Sequence, residues 1–213
     1  MLEADGDVIL GASVIGGTSR PNVGITSVNG DIVDAGGNIN VEYLALSAGN
    51  DIGVDSTGAA SPIDFDADSL AASAGGDINL NKVGGGNLVV FDHPVKSGTI
   101  IGITGGGDLD LVTDGDLNVS RAISMTGAIN LDLGDDLFLY ASIESTGGGD
   151  IAIRTQDDVI VNTSPDDAIF SNDGTISIDA GDDIQVRNGN NLDLDAGNGL
   201  IVIRSGGEID GLE

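Results

Sequence analysis

The chain has 213 residues, with 35 glycines, no cysteine and a formal charge of −28. That charge argues against nucleic acid or an anionic membrane surface as partner and favours cations or basic surfaces. The missing cysteine excludes a disulfide framework. No run approaches the ~20 apolar residues of a membrane span, so no membrane insertion is expected. Only Glu3, Glu42, Glu144, Glu208 and Glu213 are glutamate, so the acids are overwhelmingly aspartate. Aspartate and glycine favour turns over helices, while the 40% apolar content is enough for a core.

Short apolar runs of strand-like alternation follow one another along the chain. "DGDVIL" carries Val8 and "NGDIV" carries Ile32. In "LALSAGNDIGV" the run at Leu44 is followed eight residues later by Ile52, and "LAASAGGDINL" repeats the step from Leu70 to Ile78. "IIGITGGGDLDL" (Ile101 to Leu109), "AINLDLGDDLFL" (Ile129 to Leu137), "DIAIRTQDDVIV" (Ile151 to Val159), "TISIDAGDDIQV" (Ile176 to Ile184) and "LIVIRSGGEID" (Ile201 to Ile209) share the same offset. A third run follows in most units, as in Ile63/Phe65, Leu88/Val90, Leu117/Val119, Ile143, Ile169 and Leu192/Leu194.

An acid stands immediately ahead of the second run in every unit: Asp7, Asp31, Asp51, Asp77, Asp108, Asp136, Asp158, Asp183 and Glu208. The residue before it is Gly, Asn or Asp, types that tolerate a left-handed backbone. A paired aspartate that recurs in this way is architecture.

Three short strands in about 25 residues, repeated, are the signature of a solenoid. The reading is an all-β, right-handed parallel β-helix of about nine coils, roughly 25 residues each, stacked at about 4.8 Å. It predicts columns such as Ile129, Ile151, Ile176 and Ile201 pointing inward, and one column of nine acids. Evenly spaced short strands also suit a β-sandwich, but a constant offset beside variable gaps favours the coil. Residues 1–211 form one such domain. Leu212 and Glu213 look like a cloning remnant, Met1 runs straight into the acidic "LEADGD" with no leader pattern, and the chain reads as a segment of something longer.

Runs such as "AGNDIGVDSTGAASPIDFDADSLAASAGGDINLN" and "GGGDLDLVTDGDLNV" resemble the degenerate repeats of very large bacterial surface proteins, the filamentous-haemagglutinin-like adhesins and related β-helical exoproteins. The resemblance covers nearly all of the chain and carries no catalytic residues. It implies extracellular display at the cell surface, a β-helical shaft, and adhesive or structural roles. Partners would be a host or cell-surface protein or glycan, together with flanking repeats of the parent protein.

Three sets of residues are candidates for more than structure. The doubled aspartates Asp135/Asp136, Asp157/Asp158 and Asp182/Asp183 could bridge Ca2+ between coils, as a Ca2+-stiffened extracellular module. The plainer reading is that each carboxylate accepts turn N–H groups and faces water. The same acids lie near Arg154 and Arg187, which outwardly suits glycoside hydrolysis by two carboxylates. They belong to a repeating turn, so a non-enzymatic protein is expected, with a carbohydrate-active or carbohydrate-binding β-helix as the alternative. Phe91, His93 and Lys96 mark the least repetitive segment. His93 reads as a solvated loop residue, and the loops at 55–62, 91–99 and 162–168 are where a specific contact surface is expected.

Overall fold

The structure, a computed structural model, describes residues 1–15, 20–96, 98–162, 169–187 and 192–210. The loop expected at 162–168 lies outside the described residues beyond Asn162, as do Leu212 and Glu213. All regular structure among the described residues is β, in sheets of 15 and 12 strands and a two-stranded hairpin. Strand pairing within the two large sheets is parallel, giving a solenoid-like stack in which each strand lies on its counterpart one repeat earlier.

Alternation sets which side chains enter the core. In Ile151–Thr155 the residues Ile151, Ile153 and Thr155 are buried while Arg154 is exposed. The predicted column is present: Leu109 pairs with Ile129, then Ile151, Ile176 and Ile201 in register. Ile129, Ile151 and Ile176 have no exposed surface, whereas Ile201, on the last strand of that stack, is 41% exposed. Each fully buried isoleucine contributes about 1.5–3 kcal/mol. Hydroxyls that turn inward near the corners are satisfied by turn carbonyls. Ser145 Oγ donates to Gly127 O at 2.7 Å, Ser171 Oγ to Gly149 O at 2.8 Å and Thr113 Oγ1 to Gly115 O at 2.7 Å.

The repeat changes its cross-section part-way along. In the N-terminal part the first sheet holds long strands, Asn22–Ser27, Tyr43–Ala48 and Ser69–Ala74. The second sheet holds two short ones per repeat, as in Ile52–Val54 and Ile63–Asp66. Ile78–Lys82 stacks on both of these short strands and continues as Leu109–Thr113 and its successors. Conversely, Ser69–Ala74 divides: Ser69 and Leu70 lead to Leu88–Val90, while Ala72–Ala74 lead to Ile103–Gly105. Beyond this point the long strand belongs to the second sheet and the short pair to the first.

This exchange corrects two expectations. The eight-residue offset joins different walls in the two parts. From Leu44 to Ile52 it crosses from the first sheet to the second, and from Ile129 to Leu137 it crosses back. Leu109 accordingly pairs with Ile129 and not with Leu137. Ile101 is 63% exposed, and the inward residue there is Ile103. The physical reason is that alternation reports inside against outside but carries no label for the wall. The single column of nine acids is therefore two columns.

Candidate functional site

In the first acid column each carboxylate accepts the backbone N–H one repeat further on. Asp31 N–H donates to Asp7 Oδ1 at 3.0 Å, Asp51 to Asp31 at 3.0 Å, Asp77 to Asp51 at 2.8 Å and Asp108 to Asp77 at 2.9 Å. Ala128 N–H ends this run on Asp108 Oδ1 at 2.7 Å, and Thr175 N–H repeats the contact on Asp150. The second column is Asp116, Asp136, Asp158, Asp183 and Glu208, joined by the same bond at 3.3, 2.9, 2.9 and 2.7 Å.

The glycines ahead of the acids serve close approach. Gly76 and Gly107, and Gly127 at the matching position ahead of Ala128, are not among the residues with positive φ. A Cβ on each would lie 2.0 Å from the Oδ1 of Asp51, Asp77 or Asp108. The left-handed backbone expected there is replaced by crowding as the reason for glycine.

The doubled aspartates belong to the second column. The inner member (Asp136, Asp158 or Asp183) is half-buried and holds the ladder bond, and the outer member (Asp135, Asp157 or Asp182) is exposed. Loss of surrounding water, followed by the charges of Asp136, Asp158, Asp182 and Asp135, pushes Asp157 above the usual carboxylate range, although the residue is exposed. Two groups have carboxylate oxygens within 4.8 Å of one another: Asp116/Asp135/Asp136 and Asp136/Asp157/Asp158. The structure thus brings together four of the six expected acids and adds Asp116. That residue was hidden because "DGDLNV" was assigned to the third run of its unit. Asp182 and Asp183 form no such group among the described residues. Three carboxylates supply part of the six to eight oxygens that Ca2+ takes.

Phe91, His93 and Lys96 lie in or beside the hairpin of His93–Val95 with Gly98–Ile100. His93 is not the solvated residue expected: it is 7% exposed. Its Nε2 is 2.7 Å from Ser69 Oγ, its ring stacks on Tyr43 at 5.4 Å, and Phe91 meets it edge-on at 6.5 Å. Burial pulls its pKa below the ordinary 6.5, against the opposing charge of Asp92. Phe91 is itself 43% exposed, under the Arg121 guanidinium at 5.0 Å. Arg121 also pairs with Asp92 at 2.8 Å. Lys96 points elsewhere, to Glu3 at 2.8 Å.

Two hollows flank the hairpin. One of about 140 Å3 is lined in part by Tyr43, His93, Pro94 and Met1. The other, of about 340 Å3, is lined by the hydroxyl residues Ser47, Ser73, Thr99 and Thr104 together with Val95, Ile100 and Ile101. None of its lining residues is charged, in a chain where 20% of residues are. In the loop at 55–62, Ser61 Oγ donates to Asp34 at 3.0 Å and ties the loop to it. The loop folds around Asp55, whose Oδ1 accepts Thr57 Oγ1 at 2.6 Å, Thr57 N–H at 2.7 Å and Ala59 N–H at 3.1 Å. These bonds, the Thr57 hydroxyl first, hold Asp55 below the usual carboxylate range.

Sequence reasoning missed Tyr43 and Ser69, which partner His93, because each occupies an outward position in an ordinary alternating strand. It also missed Lys82. This lysine occupies an inward position above Phe65, is 1% exposed and donates to Gly85 O. Burial lowers its pKa against the charge of Asp66.

No protein-family profile, curated protein or solved structure matches the chain.

Proposed function

We propose that the chain is a right-handed parallel β-helix of about nine coils, roughly 25 residues each, that serves as a structural and adhesive shaft segment of a large surface protein. The observation that carries this reading is how the carboxylates are used. Nearly every repeat commits an aspartate to the backbone N–H of the next, so a recurring set of carboxylates serves continuity along the axis. The remaining acids keep a −28 surface soluble and self-repelling. This use of acids, with the likeness to filamentous-haemagglutinin-like repeats, supports an extracellular, non-enzymatic role.

Two experiments test it. Nine coils at about 4.8 Å make a rod of about 40–45 Å before end segments, which small-angle scattering reads directly. An antibody against the chain should label intact producing cells; labelling only after permeabilisation would overturn surface display.

A second reading is favoured by one feature, the uncharged hollow of Ser47, Ser73, Thr99 and Thr104 beside Val95 and Ile100. Hydroxyls interspersed with apolar side chains suit a neutral polar chain such as a glycan. Saturation-transfer NMR against neutral oligosaccharides tests this, with Ser73→Tyr filling the hollow. Binding unaffected by that substitution would exclude the site.

A further inference from the structure

We propose that the hairpin of His93–Val95 with Gly98–Ile100 is a strap that clamps the outer face of the first sheet at neutral pH and releases on acidification, with His93 as the sensing residue.

The hairpin is the one antiparallel strand pair among the described residues, and it lies outside the two walls. Its Val95 and Ile100 pack on Ala45 and Ala71 in a small cluster separate from the main core. Register aligns Gly24, Ala45 and Ala71 across three successive strands, so small outward residues form the seat. Pro94 O and Val95 Cγ1 approach within 3.6 and 3.7 Å of where a Gly24 Cβ would stand. Lys96 extends the grip to Glu3 on the first strand, 93 residues back in sequence. The strap thus spans Leu2–Ala4, Asn22–Ser27, Tyr43–Ala48 and Ser69–Ala74. Its hold rests on two apolar side chains, one exposed ion pair and the buried imidazole. Elements with so few buried contacts open locally at low cost, so the charge state of one anchor decides whether the strap is closed.

Of the charged groups on the elements around the strap, Asp92 is the one that acts on His93. Glu42 and Tyr43 flank it from one strand and Asp68 from the next, while Asn22–Ser27 contributes no titratable side chain. Asp92 and Lys96 are its neighbours in the strap. Met1 lines the same hollow as His93, Glu3 is held by Lys96, and Arg121 lies over Phe91. Asp92 gives one oxygen to Arg121 and buries the other without a partner among the described residues, while Asp68 pairs with Arg20 and Glu3 with Lys96. Asp92 therefore favours the imidazolium, but burial outweighs it and shifts His93 toward the neutral form in the closed strap.

The direction follows. A histidine depressed in the closed state binds its proton more readily when the strap is open. Closure is at full strength above 6.5. Below that it weakens about tenfold per pH unit until His93 titrates in the closed form. His93 is the chain's only histidine, and no other side-chain type ordinarily titrates between about pH 5 and 8.

The test is NMR of the whole chain from about pH 7.5 to about pH 5. We expect the His93 imidazole to titrate below 6.5. Hairpin amide protection should fall about tenfold per pH unit below that, corrected for intrinsic exchange. Amides of Ile129–Leu133 should hold theirs. His93→Gln keeps a partner for the Ser69 hydroxyl without a titrating ring, and protection should become flat with pH; His93→Phe, which keeps the stack on Tyr43, should do the same. Titration at or above 6.5 in the native chain would overturn the proposal. So would acid-induced opening that persists in either variant, which would assign it to the carboxylates.

Discussion

Asp158 lies in the middle of the second acid column, where replacing it separates the roles of a carboxylate. Its Oδ1 accepts the Asp183 N–H at 2.9 Å, and its own N–H donates to Asp136 Oδ1 at 2.9 Å. Asp158→Ala removes the acceptor and leaves the half-buried Asp183 N–H without it. A hydrogen bond to a charged group contributes about 1.5–3 kcal/mol. Against this stands relief of like-charge repulsion, about 1 kcal/mol for carboxylates about 4.8 Å apart in water. The net loss is about 0.5–2 kcal/mol, a fall in Tm of about 1–8 °C for a chain of this size. Asp158→Asn keeps the Oδ1 acceptor and drops the charge, at the expense of the 3.2 Å bond that Gln185 Nε2 donates to Asp158 Oδ2. It should melt near the native temperature and above Asp158→Ala, with any gain from lost repulsion fading as salt is added. Thermal melts followed by far-UV circular dichroism at low and high ionic strength read both. If Asp158→Asn is as damaging as Asp158→Ala, the fold uses the negative charge itself, as a bridging cation would require, and the acceptor argument fails.

Three further outcomes are expected. Ile153→Asp or Ile178→Asp places a charge in a column with no exposed surface, at a cost of several kcal/mol. Soluble expression should be lost, whereas the outward Ser177→Asp should express and melt like the native chain. Gly107→Ala puts a Cβ 2.0 Å from Asp77 Oδ1 and should lower Tm sharply, while Gly6→Ala, with nothing within 4 Å, should not. Millimolar Ca2+ should raise Tm no more than NaCl of equal ionic strength. A shift of many degrees reversed by a chelator would instead show binding at Asp116, Asp135, Asp136, Asp157 and Asp158, with stabilisation following RT ln(1 + [L]/Kd).

The inward columns were legible because alternation is a local property: Ile129, Ile151, Ile153, Ile176 and Ile178 each declare their face within three residues. The partition of the acids was not. "AGNDI" and "LGDDL" have the same turn chemistry, and only the lengths of Ser69–Ala74 and Ile78–Lys82, read together with their stacking partners, show that the walls exchange roles. The burial of His93 was equally hidden. Its seat is assembled from Gly24, Ala45, Ala71, Tyr43 and Ser69, drawn from three strands, and no window of sequence contains them together. A short "HPV" facing a short "GTI" looks like loop until that seat exists.

The exchange of long and short strands at Ser69–Lys82 also limits how such a molecule can change length. On either side of it, a repeat can be duplicated or lost and its neighbours still meet a strand of matching length. A repeat copied from one side into the other would set a six-residue strand where two short ones with a corner between them belong. Growth by repeat duplication is therefore open to each flank using its own kind. The joint itself, with Lys82 buried inside it and three left-handed glycines closing its outer turn at 84–86, is the one segment the chain cannot copy.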